Sequence, residues 1–495
     1  MKKMNLLAMS LVSAAALSFS SCSSNDDLGG GAGNQSKVES FYMTFAVQTP
    51  TSNGTRTQQP TDANFKVAGT PNETTITSGT FYLVNSQTNK TVFTKHITAS
   101  ELNNAAPESP VKGTTTTKIE VPVQNVDEGV TYTVYFLANT TDATPWTSVF
   151  APTDDKFTEK NKFDAGYATA DNFVMFNQND KKSRANKYTV KFEAANKDIS
   201  NAAQVSETIM LDRATARIDK PTSVAAINGE IPEGATKLQE KAINDAKDKV
   251  ASITLSKYAI TNLSKQTYIM QQWNATWNAL QIPTGITYMQ PQKDLGGKYD
   301  LQHGEWFTAE DKHYVFENTK ETPTTMYFEY TVALNPKKFS DTPDCTDGTF
   351  YRYNGNIYRS IDAIYAAYAD QPVLFGGKSA ADLLGELKIK TEGETTVTKT
   401  IGATEEELKA FRQAYTIEVF RAGKTYYSKV ITDRWLGTNT IQRNTVYQLN
   451  VKNIYNVGAD VPNGKPDENK PMYYLDVEVS VNPWVLSTQD VNLGE

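Results

Sequence analysis

Short segments of alternating apolar and polar residues recur along most of the chain, and they predict β-strands. The alternation is clearest in residues 41–47, where every second residue is a large apolar one: Phe41, Met43, Phe45 and Val47. Comparable segments lie at 80–85, 117–123, 130–139 and 185–192, separated by turns rich in Thr, Asn and Pro. The pattern indicates sheet domains and argues against a helical bundle or a coiled coil.

Residues 205–219 interrupt their alternation once, at Arg213, which predicts a β-bulge or a change of sheet. We therefore predict two β domains that meet near residue 212. The N-terminal domain is expected to span 57–211 and the C-terminal domain 212–455.

Helical spacing occurs only locally, inside the predicted C-terminal domain. Residues 236–250 carry an apolar stripe, Leu238, Ala242, Ile243 and Ala246, and shorter helices are predicted at 360–370 and 379–388. These segments are interpreted as short helical insertions in a mainly β fold.

The first residues have the layout of a secretory signal peptide. A basic start precedes a short apolar stretch, and small residues then lead to Cys22. Cysteine at this place resembles a bacterial lipobox, with Phe19 where Leu is more usual, and implies a lipidated Cys22. We predict a signal peptide at 1–21 and a flexible, glycine-rich tether at 22–40. An ordinary signal peptide followed by an incidental cysteine is the alternative.

The segment after the first predicted strand is an exposed loop with Pro50, Asn53-Gly54 and Pro60. Arg56 lies in its middle and is the first arginine of the chain. The loop therefore follows a strand whose strongly apolar face should not stay exposed to solvent.

The end of the chain places an apolar strand behind a linker. Residues 456–471 are rich in Gly, Pro and polar residues, and 472–495 then alternate, with Tyr473, Leu475, Val477, Val479 and Val481 on one face. Trp484 follows and is expected to anchor the end of the strand against a sheet. A strand of this kind must find a sheet to pair with.

Composition excludes several functions. The 495 residues include 25 Tyr and 21 Phe, which favour strands, and the net charge of −7 argues against nucleic-acid binding. Three histidines and two cysteines leave little material for metal or nucleophile sites, and no hydrolase or nucleotide-binding motif occurs. We expect no enzyme, no cofactor and no metal. With Cys22 acylated, Cys345 has no partner for an intrachain disulfide.

Two groups of residues allow a binding role as well as a structural one. Asp341, Asp344 and Asp347 faintly resemble a calcium loop but lack its Gly and bidentate Glu, so a solvated acidic turn is favoured. Tyr132, Tyr135 and Phe136 could line a ligand groove, but such residues in strands usually belong to the core. The dispersed His96, His303 and His313 do not suggest zinc.

Taken together, several segments resemble those of Bacteroidales fimbrillins, the shaft subunits of type V pili. The matching segments are the lipoprotein signal, residues 41–56, LDRATARIDK, GTFYRYNGNIYRSID, IQRNTVYQLNVKNI and YLDVEVSVNPWVLSTQDVNL. The resemblance is to the short-fimbria (Mfa-type) subunit and, more distantly, the FimA-type. It implies a two-domain β-sandwich of transthyretin-like, Greek-key type.

The resemblance also implies an assembly mechanism. A lipidated precursor, anchored in the outer membrane through Cys22, is cut by an arginine-specific surface protease between Arg56 and Thr57. The strand in 41–56 leaves, and the C-terminal strand in 472–495 of another copy fills its groove, with 456–471 as hinge. Implied partners are other copies of the chain and accessory pilus subunits in a surface fimbrium.

Two other interpretations remain open from the sequence. One is an accessory subunit of such a pilus, either an anchor or a tip adhesin. The other is a surface lipoprotein that binds glycans. The arginine loop together with a C-terminal apolar strand favours the shaft subunit, and the adhesion target stays unknown.

Overall fold

The alternating segments form β-strands in the structure, a computed structural model. It describes residues 40–48, 67–104, 116–139, 156–158, 168–169, 172–179, 187–283, 288–289, 306–308, 312–433, 435–462 and 475–486. Strands dominate these residues and the helices among them are short. The mainly β fold class with helical insertions is thereby confirmed.

The strands up to residue 213 form the first part of the fold. They are β1 (Phe41–Gln48), β2 (Val67–Gly69), β3 (Gly79–Asn85), β4 (Thr91–Ile97), β5 (Thr116–Val123), β6 (Thr131–Ala138), β7 (Lys156–Thr158), β8 (Ala168–Thr169), β9 (Asn172–Phe173), β10 (Met175–Asn177), β11 (Thr189–Lys191), β12 (Ala203–Gln204) and β13 (Ile209–Arg213). Nine of the described strands make one sheet in the order β12-β1-β13-β10-β6-β3-β4, with β5 on β1 and β11 on β6.

The remaining strands follow residue 215. They are β14 (Ala216–Asp219), β15 (Thr222–Ser223), β16 (Val250–Thr261), β17 (Leu263–Ser264), β18 (Gln266–Tyr268), β19 (Gln272–Trp273), β20 (Leu280–Gln281), β21 (Tyr288–Met289), β22 (Lys312–Val315), β23 (Thr325–Leu334), β24 (Phe350–Tyr353), β25 (Asn356–Tyr358), β26 (Lys390–Glu392), β27 (Thr398–Thr400), β28 (Glu418–Phe420), β29 (Lys424–Val430), β30 (Thr445–Ile454) and β31 (Leu475–Leu486).

Two sheets organise this second part. One has the order β2-β31-β30-β14-β22, with β15 on β30, and the other is β16-β23-β29. A core that includes Ile253, Phe328 and Tyr447 packs with the strands of both sheets. The two sheets therefore enclose apolar side chains between them, as sandwich folds do.

Strand β6 shows why its sequence is almost continuously apolar. Its even-numbered residues, such as Val134 and Phe136, belong to the first core, whereas Tyr135 and Leu137 belong to another cluster. That second cluster also contains Phe316 from the second part of the chain. A strand buried on both faces has no solvent-facing polar positions to alternate with.

The interruption at Arg213 is a change of sheet. Strand β13 pairs with β10 in the nine-stranded sheet, and β14 pairs with β30 and β22 in the second part. The first core uses residues up to Leu211 together with Val446, and the second begins at Ala216. The domain boundary near 212 stays a prediction.

Six helices occur among the described residues. They are α1 (Pro71–Thr74), α2 (Ala99–Asn104), α3 (Lys237–Lys249), α4 (Ile361–Ala367), α5 (Ala380–Leu387) and α6 (Glu405–Tyr415). Capping boxes begin α3, α5 and α6, with Thr236, Ser379 and Thr404 as N-caps. Leu238, expected on the apolar stripe of α3, is exposed instead.

The run YTIEVFRAGKTYYSKVI forms two strands. A turn at Arg421–Gly423 separates β28 from β29, which belong to different sheets. Gly423 has a φ of +71°, and a Cβ there would lie 2.6 Å from the carbonyl oxygen of Val332. Glycine therefore permits the turn at this place.

Gly79 gives a test of the packing of the first core. A Cβ at this position would lie 2.2 Å from Cζ of Phe136, whose side chain is fully buried. We expect Gly79→Ala to lower the free energy of unfolding by about 1–3 kcal/mol, because the ring must shift within a close-packed core. Urea denaturation followed by circular dichroism measures the change.

Gly385→Ala is the matched control. This glycine lies in α5, and a Cβ there meets nothing within 4 Å. Alanine should leave stability unchanged or raise it by up to about 1 kcal/mol, because glycine is a poor helix former. Equal destabilisation by both variants would contradict the packing argument.

Candidate functional site

Strand β1 is an interior strand of its sheet. It pairs antiparallel with β5 along its full length, from Phe41 opposite Val123 to Gln48 opposite Thr116. Its other edge pairs in parallel with β12 and with β13. The amide of Val205 also donates to the carbonyl oxygen of Thr44 at 3.1 Å. Both hydrogen-bonding edges of β1 are thus engaged.

The apolar residues of β1 form part of the first core. Phe41, Met43, Phe45 and Val47 are at most 7% exposed. The ring of Phe45 stacks on Phe81 at 5.1 Å between centroids and lies 5.7 Å from Phe136. Their burial contributes on the order of 6–12 kcal/mol before ordering costs. Departure of β1 would leave an apolar groove lined by aromatic rings.

The other face of β1 is covered as well. Thr44 and Ala46, which the alternation places on the opposite side, are only 5% and 9% exposed. Strand β1 is therefore held by two backbone edges and two side-chain faces. Sequence alternation alone does not show this double coverage, because Thr and Ala occur readily on either kind of surface.

The predicted processing residues lie outside the described part of the chain. These are Cys22, Arg56 and Thr57. Description ends at Gln48, before the loop, and resumes with β2 at Val67. The predicted lipidation and cleavage positions therefore remain predictions from the sequence.

The chain is anchored firmly soon after that loop. Glu73 of α1 is 2% exposed, and its carboxylate accepts hydrogen bonds from the guanidinium of Arg217, from Lys312 Nζ and from Tyr314 Oη. These three residues belong to the sheet of the second part. A buried carboxylate thus fixes the segment after β2 to that sheet.

Arg213 completes this junction from the end of β13. It is fully buried; its Nε donates to the carbonyl oxygen of Glu73, and its guanidinium donates to the side chain of Asn444, each at 2.7 Å. The change of sheet therefore coincides with a cluster that joins three distant pieces of chain. We refer to Glu73, Arg213, Arg217, Lys312 and Tyr314 as the junction cluster.

Hydrogen bonding decides the ionisation of Glu73. Burial alone would raise the pKa of its carboxyl, but hydrogen bonds from Tyr314 and the Thr70 amide and the charge of Arg217 outweigh burial and lower the pKa to about 2. The carboxylate is therefore charged throughout the neutral range. Neutralising it would remove one of the two carboxylates that pair with the buried Arg217, the other being Asp219.

The last strand lies on the second part of the same chain. β31 pairs antiparallel with β30, from Leu475 opposite Ile454 to Pro483 opposite Thr445. Residues 484–486 pair in addition with β2, Trp484 opposite Val67. The predicted strand residues Leu475, Val477, Val479, Val481 and Trp484 thus lie in one strand, whereas Tyr473 lies outside the described residues.

Only one edge of β31 is paired over most of its length. Among the described residues, positions 475–483 have a backbone partner on the β30 side alone, and β2 covers only the last three residues. β1, in contrast, is paired along both edges. Among the described residues, β1 therefore has more backbone pairing along its length than β31.

The first residues of the predicted hinge are fixed to the fold. Arg352 donates to the carbonyl oxygen of Val457 at 2.7 Å, and Ala459 pairs with Tyr426 through backbone hydrogen bonds in both directions. The Asp460 carboxylate accepts from Arg412 and from the Val419 amide. Residues 456–460 therefore anchor the first part of the predicted hinge.

The other candidate groups have structural roles. The imidazole of His313 is hydrogen-bonded to Tyr258 Oη at 2.7 Å, and His96 is hydrogen-bonded to Thr80. Tyr132 and Phe136 are in the core. No cluster that could hold a metal ion occurs among the described residues. In the same part of the chain, no helix is long and apolar enough to cross a bilayer.

The acidic turn is also explained by local bonds. Asp341 accepts from Ser360 and pairs with Arg359, Asp344 accepts from the Ile361 amide, and Asp347 accepts from the Thr349 amide. Burial, with the nearby Asp347 and Asp344, raises the pKa of the buried Cys345 thiol to about 12, which keeps it protonated and unreactive.

Sequence reasoning did not identify the junction cluster. Its signals were present: two arginines in the otherwise apolar strand run LDRATARID, and Thr70 three residues before Glu73. Thr70 donates its amide to the Glu73 carboxylate at 2.7 Å. The pairing of Glu73 with residues 144 and more positions away could be known only from the fold.

Comparison with known proteins gives a family match and similar folds. Residues 418–490 match the family model for the C-terminal part of fimbrillin, the major fimbrial subunit protein type IV. This span contains β28 to β30, the linker and all of β31. No curated protein matches the chain.

Several solved structures resemble the chain over most of its length. A fimbrilin from Porphyromonas gingivalis W83 is 14% identical with a TM-score of 0.45, over 91% of this chain and 100% of that one. A candidate cell adhesion protein from Parabacteroides distasonis ATCC 8503 is 14% identical, TM-score 0.44, over 91% and 99%. One from Bacteroides eggerthii DSM 20697 is 12% identical, TM-score 0.44, over 91% and 98%.

The junction cluster predicts a pH-dependent stability. Because the folded-state pKa of Glu73 lies below its ordinary value of 4.5, its stabilisation is present above pH 4.5 and is lost as the pH falls toward 2. We expect Glu73→Gln to lower the free energy of unfolding at pH 7 by about 3 kcal/mol and to flatten its dependence between pH 5 and 3. Urea denaturation at several pH values measures both effects.

Glu101→Gln is the control, since Glu101 is 42% exposed in its pair with Lys95. Exposed pairs contribute at most about 1 kcal/mol, so this variant should stay close to the wild type. A Glu73→Gln variant with wild-type stability and wild-type pH dependence would contradict the assigned role of the cluster.

Proposed function

We propose that the chain is a Bacteroidales fimbrillin, a shaft subunit of a type V pilus that polymerises by donor-strand exchange. The match of residues 418–490 to the C-terminal fimbrillin family model supports this assignment. In this proposal it is a fimbrial subunit and a structural protein of the cell surface. The proposed exchange replaces β1 of one subunit by the C-terminal strand of another. Cleavage between Arg56 and Thr57 releases β1.

The observation that carries the proposal is the placement of β1. This strand fills an aromatic groove with both edges paired, and it lies directly before the loop that contains Arg56. Downstream of that loop the chain is anchored again at Glu73. A cut in the loop breaks the covalent connection between β1 and the rest of the domain, whereas the junction cluster keeps the remaining chain in place.

The C-terminal strand has the features of a donor. On its own subunit β31 is paired mainly along one edge, and the groove left by β1 offers two, between β5 and the pair β12 and β13. Pairing along two edges satisfies more backbone groups and covers more apolar surface. Transfer of the strand to a neighbour's open groove is therefore favourable.

The linker is long enough for β31 to reach a neighbouring subunit in this proposal. Its anchored part ends at about residue 460, and 463–471, rich in Gly, Pro and polar residues, extend to roughly 30 Å. We therefore place the hinge of the proposed exchange at 463–471, in the second part of the predicted 456–471 linker. Because the same strand that leaves one subunit enters the next, the contact is head-to-tail and generates an open filament.

Export precedes assembly in this proposal. Lipidation of Cys22 attaches the precursor to the outer membrane, and an arginine-specific surface protease then removes residues 22–56 with their lipid. Without a disulfide, the exported chain depends on its cores and on buried pairs such as that of Glu73. Its partners are other copies of the chain and accessory pilus subunits, and the filament supports adhesion.

Cleavage at Arg56 is the first prediction of this proposal. Arg56→Ala should leave β1 in its groove, so that purified chain treated with an arginine-specific protease stays monomeric. Wild-type chain should form filaments whose N-terminal residue is Thr57. Electron microscopy, size-exclusion chromatography and N-terminal sequencing measure these outcomes.

Arg184→Ala removes another arginine from a polar stretch and serves as the control. It should be processed and should assemble like the wild type. Filaments that form from Arg56→Ala, or filaments that begin at Cys22, would contradict the proposed processing.

The donor strand is the second prediction. A chain that lacks 472–495 should fold, because the described core residues of both parts lie outside that segment, but it should not elongate filaments after cleavage. Val479→Asp should block elongation as well, because it places a charge where the acceptor groove is apolar, at a cost of several kcal/mol. Filament length and circular dichroism measure assembly and folding.

Ser480→Asp is the matched control, since position 480 is predicted to face the other way. It should affect filament length much less than Val479→Asp. Normal filaments from the truncated chain would show that another segment is the donor.

A further inference from the structure

A cleft of about 430 Å³ opens beside the three-stranded sheet of the second part, and neither the fold nor the assembly mechanism uses it. Lys257, Glu329 and Tyr426 lie in one row across β16, β23 and β29, because each is the register partner of the next. A register shift between Leu255 and Lys257 precedes the lysine. Such irregularities re-aim a side chain at a site.

Two aromatic residues contribute to the cleft. Trp306 is held beside the sheet because its neighbour Phe307 pairs with Tyr258 through backbone hydrogen bonds in both directions. The rings of Trp306 and Tyr426 lie 5.9 Å apart between centroids, at an angle of 50°. They present two inclined apolar faces to one space.

Charged residues complete the lining, and all but one of its cations form an ion pair with a carboxylate. Arg412 pairs with Asp460 at 3.1 Å, Arg421 with Glu405 at 2.7 Å, and Lys424 lies 3.6 Å from Glu329. Lys257 is half-buried, and no ion pair joins it to any residue that the structure describes. The lining therefore has four cations and three carboxylates, and Lys257 is the cation that no described ion pair includes.

We infer that this cleft binds an anionic sugar, a saccharide unit with a single carboxylate, such as a sialic acid or a uronate. The carboxylate would face Lys257, and the apolar face of the ring would lie against Trp306 and Tyr426. Glu329, which is 5% exposed, supplies oxygen atoms that accept hydrogen bonds from sugar hydroxyls.

The combination of groups favours a sugar over a simple anion. A site for inorganic phosphate or sulfate gathers unpaired cations or backbone amides, whereas here three carboxylates share the space with the cations. Aromatic faces with a few polar groups are typical of sites for small organic ligands, whose volumes are about 300–1,000 Å³. A sugar ring with hydroxyls and one carboxylate can contact the aromatic faces, the carboxylates and Lys257 at the same time.

The inference deepens the adhesive role and rests on the proposed function only for its biological use. Binding can be measured on the uncleaved monomer, in which no filament forms. Failure to bind would therefore leave the assembly mechanism untouched, and failure to assemble would leave binding measurable.

The test is isothermal titration calorimetry with the full chain as a monomer. The ligands are N-acetylneuraminate and glucuronate, with galactose and inorganic sulfate as comparators. At least one acidic sugar should bind about tenfold more tightly than galactose and than sulfate. Equal binding of sulfate would mean that the cleft recognises charge alone and would overturn the inference, as would the absence of binding by both acidic sugars.

Variants locate the site. Lys257→Gln should weaken binding of the acidic sugar about tenfold, and Trp306→Ala should weaken it similarly, with Trp306→Phe partly restoring it. Lys241→Gln, at an exposed lysine of α3 outside the cleft, should bind like the wild type. Circular dichroism confirms folding of each variant, and unchanged affinity in a folded Lys257→Gln variant would overturn the assignment.

Discussion

The structure depends on one constraint: an apolar strand must be covered on its faces and paired along its edges. In the nine-stranded sheet, β1 meets this constraint completely, since it lies between β5 and the pair β12 and β13 and packs on aromatic rings. Neither of its neighbours could replace it without rebuilding the sheet. A domain of this kind needs some strand in that place, whether it comes from the same chain or from another.

The junction cluster holds the chain that follows the Arg56 segment in place. Glu73 lies shortly after the segment that contains Arg56, and it is bound by residues far along the chain in the second part of the fold. Loss of β1 would therefore open a groove without releasing the chain that follows. A buried, hydrogen-bonded charge suits this role, because removal of any one partner is costly and the geometry is specific.

At the C-terminal end, the chain combines an anchored start of the linker with a strand that can pair elsewhere in the proposed exchange. Residues 456–460 are fixed by Arg352, Tyr426 and Arg412, so that the linker leaves the fold from a defined point. Beyond it, β31 is attached to β30 by backbone pairing along a single edge for most of its length. Among the described residues, β31 thus has a backbone partner on one edge at a time, whereas β1 is paired along both edges, and the proposed exchange rests on this difference.

The sequence by itself determined the local elements. Alternation located β1, β3, β5 and β6, the apolar stripe located α3, and the slip at Arg213 indicated the change of sheet, because each depends on residues that are neighbours in the chain. Only the tertiary structure decided which strands pair, that β1 is covered on both faces, that Glu73 meets Arg217 and Tyr314, and that residues 456–460 are anchored. It also brought Lys257 beside Trp306 and Tyr426. These features join residues tens to hundreds of positions apart, and no local pattern of hydrophobicity or turn chemistry carries that information.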